Sequence, residues 1–246
     1  MQKMIPEWQS RTALLLGEEK LIKLAQSHVL VAGLGGVGAY AAEQLARAGV
    51  GRLTLVDGDI IQASNRNRQL LALQSTEAKT KTALMAERLK DINPLIEIKQ
   101  VNTFIKDEKI PEILSHPFDY VVDAIDSLSP KVFLLVYALQ NGLNTVSSMG
   151  AGGKMDPMQI RIVDISKTQH CRLAFYIRKR LHKLGIREGF TAVYSPEPVS
   201  KSSIEKPTTD QNRRSTVGTI SYMPAIFGCY CASVVIRELI DSSKSN

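Results

Sequence analysis

The sequence has little cysteine and few aromatic residues. Three cysteines in 246 residues are too few for a disulfide scaffold, and Cys229 and Cys231 stand too close together to staple anything. That predicts a reducing, cytoplasmic compartment. Aromatics make up 6% of the chain, against 44% hydrophobic and 22% charged residues. These proportions exclude a disordered or fibrous chain, and the length suits one large domain or two small ones. Met1 to Leu16 lacks an apolar run behind a basic start, so no signal peptide is predicted. The segment 215–236 stays uncharged for long enough to span a bilayer. It carries Pro224, two glycines and two tyrosines and is followed at once by Arg237 and Glu238. That favours a buried or interface helix over a membrane contact.

What is present is an alternation of strands and helices. An amphipathic start (Leu14, Leu15, Leu16, Leu21, Leu24) leads to an apolar strand over His28 to Ala32. The glycine turn Gly33-Leu34-Gly35-Gly36-Val37-Gly38 follows, then a helical pattern to Gly49 and a second strand, Leu53 to Asp57. Further along, the pattern predicts a helix over Ala78 to Ile92, a strand over Ile96 to Val101 and a weak helix near Glu108 to Leu114. A strand over Tyr120 to Asp123, a helix over Lys131 to Asn141 and a strand over Thr145 to Ser148 complete the series. This is an α/β fold, a doubly wound and mainly parallel sheet. Beyond Gly150 the pattern predicts a strand over Met158 to Val163, a helix over Arg172 to Leu184 closed by Gly185, and a strand over Phe190 to Tyr194. A long polar loop over Ser195 to Thr216 and a last helix over Tyr222 to Ile240 follow. Leu173, Ile177, Leu181 and Leu184 form the expected buried stripe of the basic helix.

The glycines Gly33, Gly35, Gly36 and Gly38, between strand and helix, form a phosphate cradle. They let the backbone approach an anion that the helix N-terminus then holds. Asp57, closing the second strand, stands where an acid binds ribose hydroxyls. These two features alone would suit an NAD-dependent oxidoreductase. The stretch that follows, Asp57-Gly58-Asp59 and then Ser64-Asn65-Arg66-Asn67-Arg68-Gln69, with Lys81 beyond it, suits a triphosphate better, because Arg and Lys neutralise its outer phosphates. Asp126, in Asp123-Ala124-Ile125-Asp126-Ser127, falls just past a strand's C-terminal end, where a carboxylate holds Mg²⁺ against phosphates.

This order of motifs resembles the ubiquitin-activating-enzyme-like adenylyltransferase superfamily, whose bacterial members adenylate carboxylates. The resemblance implies that Asp57 binds the ribose, that Asn65, Arg68 and Lys81 bind the triphosphate, and that Asp126 binds Mg²⁺. It also implies a homodimer in which Arg11 reaches the partner subunit's ATP. Members that activate sulfur-carrier proteins usually hold zinc through two Cys-x-x-Cys pairs; this chain has none, so no zinc is expected. Over nearly its whole length, 1–246, the chain resembles the tRNA threonylcarbamoyladenosine dehydratases. The residues that carry this are 85–89 with Ile92-Asn93-Pro94, 123–127 with Pro130-Lys131, 150–160, and Tyr194-Ser195-Pro196-Glu197. That family uses ATP to cyclise a modified adenosine beside the tRNA anticodon, and it leaves room for a sulfur-transfer (cysteine desulfurase) partner. The resemblance implies one adenylyltransferase-like domain, with an ATP-binding half over 1–150 and a substrate-binding and dimerisation half over 151–246. Some members carry a cysteine shortly before the last helix; this chain has Arg213, Arg214, Ser215 and Thr216 there.

The charge map points to a polyanionic partner independently of any resemblance. Residues 1–150 hold 16 basic and 16 acidic side chains, whereas 151–246 hold 15 and 8 and so carry the whole net charge of +7. Lys167, Arg172, Arg178, Lys179, Arg180, Lys183 and Arg187 follow one another with no acid between them, a field that suits an RNA backbone. The aromatics beside them are few, Phe175 and Tyr176, and give no sign of base stacking. The reading is ATP-dependent dehydration of threonylcarbamoyladenosine in tRNA. The alternative is adenylation of a sulfur-carrier protein, with Cys171 as its thioester cysteine; an NAD-dependent oxidoreductase and a non-catalytic nucleotide-binding module are more distant.

Overall fold

The computed structural model describes residues 5–105, 107–205 and 216–241. The amphipathic start folds as two short helices, α1 (Ser10–Leu16) and α2 (Glu18–Gln26), parted by Gly17. The apolar runs form β1 (His28–Ala32) and β2 (Arg52–Val56), joined by α3 (Gly38–Ala48). Then come α4 (Lys81–Ile92), β3 (Glu97–Val101), α5 (Ile110–Ile113), β4 (Tyr120–Asp123), α6 (Leu128–Gln140) and β5 (Thr145–Ser148). The last part supplies β6 (Arg161–Asp164), α7 (Arg172–His182), β7 (Thr191–Tyr194), the short pair β8 (Ile204–Glu205) and β9 (Thr216–Val217), and α8 (Tyr222–Asp241).

The seven-stranded sheet runs β3-β2-β1-β4-β5-β7-β6. All neighbours are parallel except β6, which is antiparallel to β7. The extension expected to complete the sheet therefore adds one parallel strand and one antiparallel edge strand. The strand order reverses between β1 and β4, and in open sheets of this kind ligands bind outside the carboxyl ends of the strands at that switch point. Val29, Leu30 and Val31 of β1 and Val121 and Val122 of β4 are fully buried, as continuous apolar strands in a doubly covered sheet must be.

Some boundaries shift. The helix expected from Ala78 begins at Lys81, because Ala78 takes a left-handed conformation (φ 64°) and the backbone at Thr80 bridges to Ile60. The helix α6 starts three residues earlier than expected, at Leu128, and α7 ends at His182. Leu184, expected in the buried stripe, is 60% exposed; Ala174 joins Ile177 and Leu181 inside instead. The expected loop over Ser195 to Thr216 holds the β8–β9 pair, and Arg213, Arg214 and Ser215 lie outside the described residues.

The apolar C-terminal segment is a core helix. Met223, Phe227, Cys231 and Val235 of α8 are buried in the same cluster as Ala41 and Leu45 of α3. A side chain on Gly228 would collide with the Val37 carbonyl, so the helices meet backbone to backbone. By length and composition α8 alone among the described helices could cross a membrane, and half of its apolar window is buried inside the protein. The burial fits the expected buried helix.

Candidate functional site

The glycine turn leaves β1 at the switch point. Gly33 has φ of 90°, and a Cβ there would lie 2.8 Å from the Ala124 carbonyl oxygen of the turn after β4. Only glycine lets the two strand ends approach this closely. Gly38 is packed on the Gly33 carbonyl just as tightly, Gly36 lies against Pro224 of α8, and Gly35 faces the Gln69 side chain. No side chain caps α3. Apart from the Ala39 amide, which bonds the Gly35 carbonyl at 3.4 Å, the amides that open it can face an anion at the positive end of the helix dipole.

Asp57 follows β2 and is buried beside this turn. One carboxylate oxygen accepts the Leu34 amide at 2.6 Å and the other the Asp59 amide at 2.8 Å. Burial pushes its carboxyl above the usual aspartate range, against the pull of the Lys81 ammonium and the two amides. Lys81, the first residue of α4 and itself buried, donates to Asp59 at 2.9 Å and stands 4.0 Å from Asp57. Asp57, Asp59 and Lys81 are thus one cluster, as the motif order predicts.

The polar stretch after Asp59 is pinned from within. Asn65 Oδ1 caps the Gln62 amide, and the Arg68 guanidinium donates to the Ser64 carbonyl and to Asn67 Oδ1. Asn67 in turn donates to the Thr219 carbonyl, tying this segment to the approach to α8. Gln69 was not expected in the site. It is buried, and its Oε1 is the one buried side-chain oxygen or nitrogen without a hydrogen-bond partner among the described residues. A buried acceptor left unpaired costs free energy; the side chain's Nε2 end lies near Gly35 of the glycine turn, so its oxygen is a candidate partner for a group bound there.

Asp126 is exposed on the turn after β4. A buried network beneath holds this turn. Lys131 of α6 pairs with Asp123 at 2.8 Å and donates to the Ile125 carbonyl at 3.0 Å. Asp123 also accepts the Ile125 amide and the Ser147 hydroxyl. Both charges are fully buried, so either one alone would be a costly unpaired ion. Among the described residues no three His, Cys, Asp or Glu side chains cluster as metal ligands. A lone carboxylate still fits Mg²⁺, which keeps waters and binds through one or two carboxylates plus substrate phosphates.

Two expectations lie apart from this cluster. Arg11 is exposed on α1 and makes no hydrogen bond or ion pair among the described residues. Beside it on the same helix Leu14 and Leu15 are 88% and 83% exposed. The basic run lies on the other side of the sheet order, around α7. Lys167, Arg172, Lys179, Arg180, Lys183 and Arg187 are exposed. Arg178 is half-buried and donates to Thr168 Oγ1, and Arg180 donates to Ser129 Oγ at 2.8 Å.

Lys154 is a further buried cation, whose ammonium donates to the Glu197 carbonyl. Burial lowers its affinity for the proton, while Cys171 and Glu197 nearby raise it. The Glu197 carboxylate accepts the Met155 and Asp156 amides, so 153–156 and 195–197 form one braced unit. Cys231 has its thiol pushed up to about 12 by burial, which makes it a poor nucleophile. A cavity of about 400 Å³ opens at the opposite, amino-terminal edge of the strands, lined by Tyr120, Thr145, Asp164 and Glu238 among others; its carboxylates make it a poor host for phosphates.

Residues 9–246 match the ThiF family. The tRNA threonylcarbamoyladenosine dehydratase of Bacillus subtilis is 37% identical over 238 residues, covering 94% of both chains. Crystal structures of the Escherichia coli tRNA N6-threonylcarbamoyladenosine dehydratase with ATP and with AMP superpose with TM-scores of 0.85 and 0.84. They are 34% and 35% identical in sequence, and each match covers 94% of this chain and 92% of the other. On this match over nearly its whole length, the chain belongs to the ThiF family.

Proposed function

We propose that this chain is an ATP-dependent tRNA threonylcarbamoyladenosine dehydratase. The observation that carries the reading is the convergence of the uncapped start of α3, the Asp57–Asp59–Lys81 cluster and the Asp126 turn on one edge of the sheet. The likeness to the dehydratases runs through the basic third as well as the nucleotide half.

The ribose hydroxyls donate to the Asp57 carboxylate, and the triphosphate lies along the amides that open α3. Arg68 and Lys81 neutralise its charge, with Asn65 beside them, and Asp126 would hold Mg²⁺, which screens the phosphates when bound. The substrate carboxylate attacks the α-phosphorus in line; an acyl-adenylate forms and pyrophosphate leaves. A nitrogen of the same modified nucleoside then attacks the acyl carbon and expels AMP, closing the ring with net loss of water. Positioning and charge stabilisation supply the catalysis.

In this reading residues 1–150 form the ATP half and residues 151–246 the half that receives tRNA. The exposed Leu14 and Leu15 support a homodimer, because a second copy laid over α1 would cover them and bring Arg11 toward its partner's nucleotide. The enzyme works in the cytoplasm. The test is to incubate the protein with ATP and, separately, with modified tRNA or a Gly-Gly-ending sulfur carrier, and to follow ATP–pyrophosphate exchange. Exchange that depends on the modified tRNA supports the reading; exchange with the carrier alone overturns it.

A further inference from the structure

Phe175 and Tyr176 gave no sign of base stacking in the sequence, but the fold sets them in a pocket. The inward stripe of α7 is Ala174, Ile177 and Leu181, so the two rings are not needed for the core. They are 52% and 39% exposed, stand 5.4 Å apart and meet nearly edge to face. The Arg172 guanidinium lies 5.8 Å from the Tyr176 ring centroid. Together with His170, Cys171 and Arg178 these residues line a cavity of about 370 Å³, within the size range of small-ligand sites.

Three further observations point to a ligand. His170 holds a left-handed backbone conformation (φ 55°), which is uncommon outside glycine and clusters at functional sites. Arg178 is held by Thr168 rather than free to wander. Cys171, in the pocket wall, lies close enough to Lys154 to interact with its charge, and Lys154 bonds the Glu197 carbonyl just past the carboxyl end of β7. That puts this wall of the pocket toward the carboxyl ends of the strands, the edge proposed above for the nucleotide. Exposed rings flanked by guanidinium groups are the chemistry that takes an unstacked base and its phosphate, since every base has a face to stack and every linkage a charge to pair.

We propose that the pocket formed by His170, Cys171, Arg172, Phe175, Tyr176 and Arg178 binds one splayed-out base of single-stranded RNA, with Arg172 on its phosphate. The assignment rests on the reading of tRNA as substrate. It adds that a loop nucleotide is pulled out of its stack when the modified adenosine is presented to ATP.

The test uses the full chain and a short single-stranded RNA carrying 2-aminopurine, whose fluorescence reports stacking. Phe175→Ala with Tyr176→Ala is expected to weaken binding about 10-fold or more and to abolish the fluorescence change. Phe175→Tyr and Tyr176→Phe keep both, and ATP binding is unchanged in every variant. Should the double variant fail to fold, Arg172→Gln serves in its place, expected to lower the slope of log affinity against log salt by about one. Binding and fluorescence equal to wild type in the ring variant, or an unchanged salt slope in Arg172→Gln, overturns the pocket. So does a ring variant whose only change is its oligomeric state. Cyclic nucleoside is measured on modified tRNA in parallel. A wild type that stacks the probe but makes no cyclic product overturns the function and leaves the pocket standing. Ring variants with wild-type kcat/KM for tRNA overturn the pocket and leave the function standing.

Discussion

The two halves of this chain handle charge in opposite ways. In residues 1–150 acids and bases are equal in number and many are paired at close range: Lys81 with Asp59, Lys131 with Asp123, Glu43 with Arg47 and Arg88. In residues 151–246 bases outnumber acids by 15 to 8, and most of the basic run around α7 lies exposed. In the proposed reading the difference follows from the size of the anion. A triphosphate occupies one small place and needs a few groups held in fixed positions, as Lys81 with Asp59 would be. An RNA backbone is long and repeats its charge, so a broad field attracts it without fixed pairing.

This contrast predicts that changes in the first half alter folding or chemistry and changes in the second alter RNA affinity. The largest effect is expected at Lys131. Lys131→Met strands the buried Asp123, and urea denaturation should show a loss of about 3–5 kcal/mol. Adding Asp123→Asn should restore part of it, since both charges are then gone. Next is Asp126→Ala, at an exposed position. It should lower cyclic product formation by about 10²–10³-fold while leaving tRNA affinity unchanged in a binding assay. A smaller effect is expected from Lys179→Gln with Lys183→Gln. This pair should weaken tRNA binding uniformly and lower its salt slope by about two, with ATP affinity untouched by calorimetry. A loss of ATP affinity in that variant would break the division.

The smallest effect concerns Asp57. Burial sets its folded pKa above the unfolded value. The carboxyl therefore favours the folded state at pH below the unfolded value, and that contribution is lost as pH rises through the folded one. ATP binding runs the other way, because ribose hydroxyls donate to the ionised form. Calorimetry should show ATP affinity falling as pH drops through the raised pKa. Asp57→Asn should flatten that dependence and bind ATP weakly at every pH.

Much of this was legible in the sequence because it depends on local pattern. The strands β1, β4 and β5 have the limits that their apolar runs predict, and the order of glycines, Asp57, Arg68, Lys81 and Asp126 marked the proposed nucleotide site. What was hidden depends on approach through space. Ala78 carries no signal for a left-handed turn, so α4 appeared to start too early. Gln69 sits in the quoted motif, but only the fold shows that its oxygen is buried and unpaired and that its side chain lies near Gly35. Lys131 reads as one more helix lysine until Asp123 is found beneath it. Phe175 and Tyr176 are too few to mark a stacking surface by composition; the packing of α7, with smaller residues inward, turns both rings out beside Arg172.

The central claim is tested most directly by incubating the protein with ATP, Mg²⁺ and tRNA bearing threonylcarbamoyladenosine, then measuring the masses of the released nucleosides. The account predicts a nucleoside lighter by one water, formed only with ATP and lost in Asp126→Ala. A modified nucleoside of unchanged mass, in the presence of protein that binds both ATP and the tRNA, would contradict it.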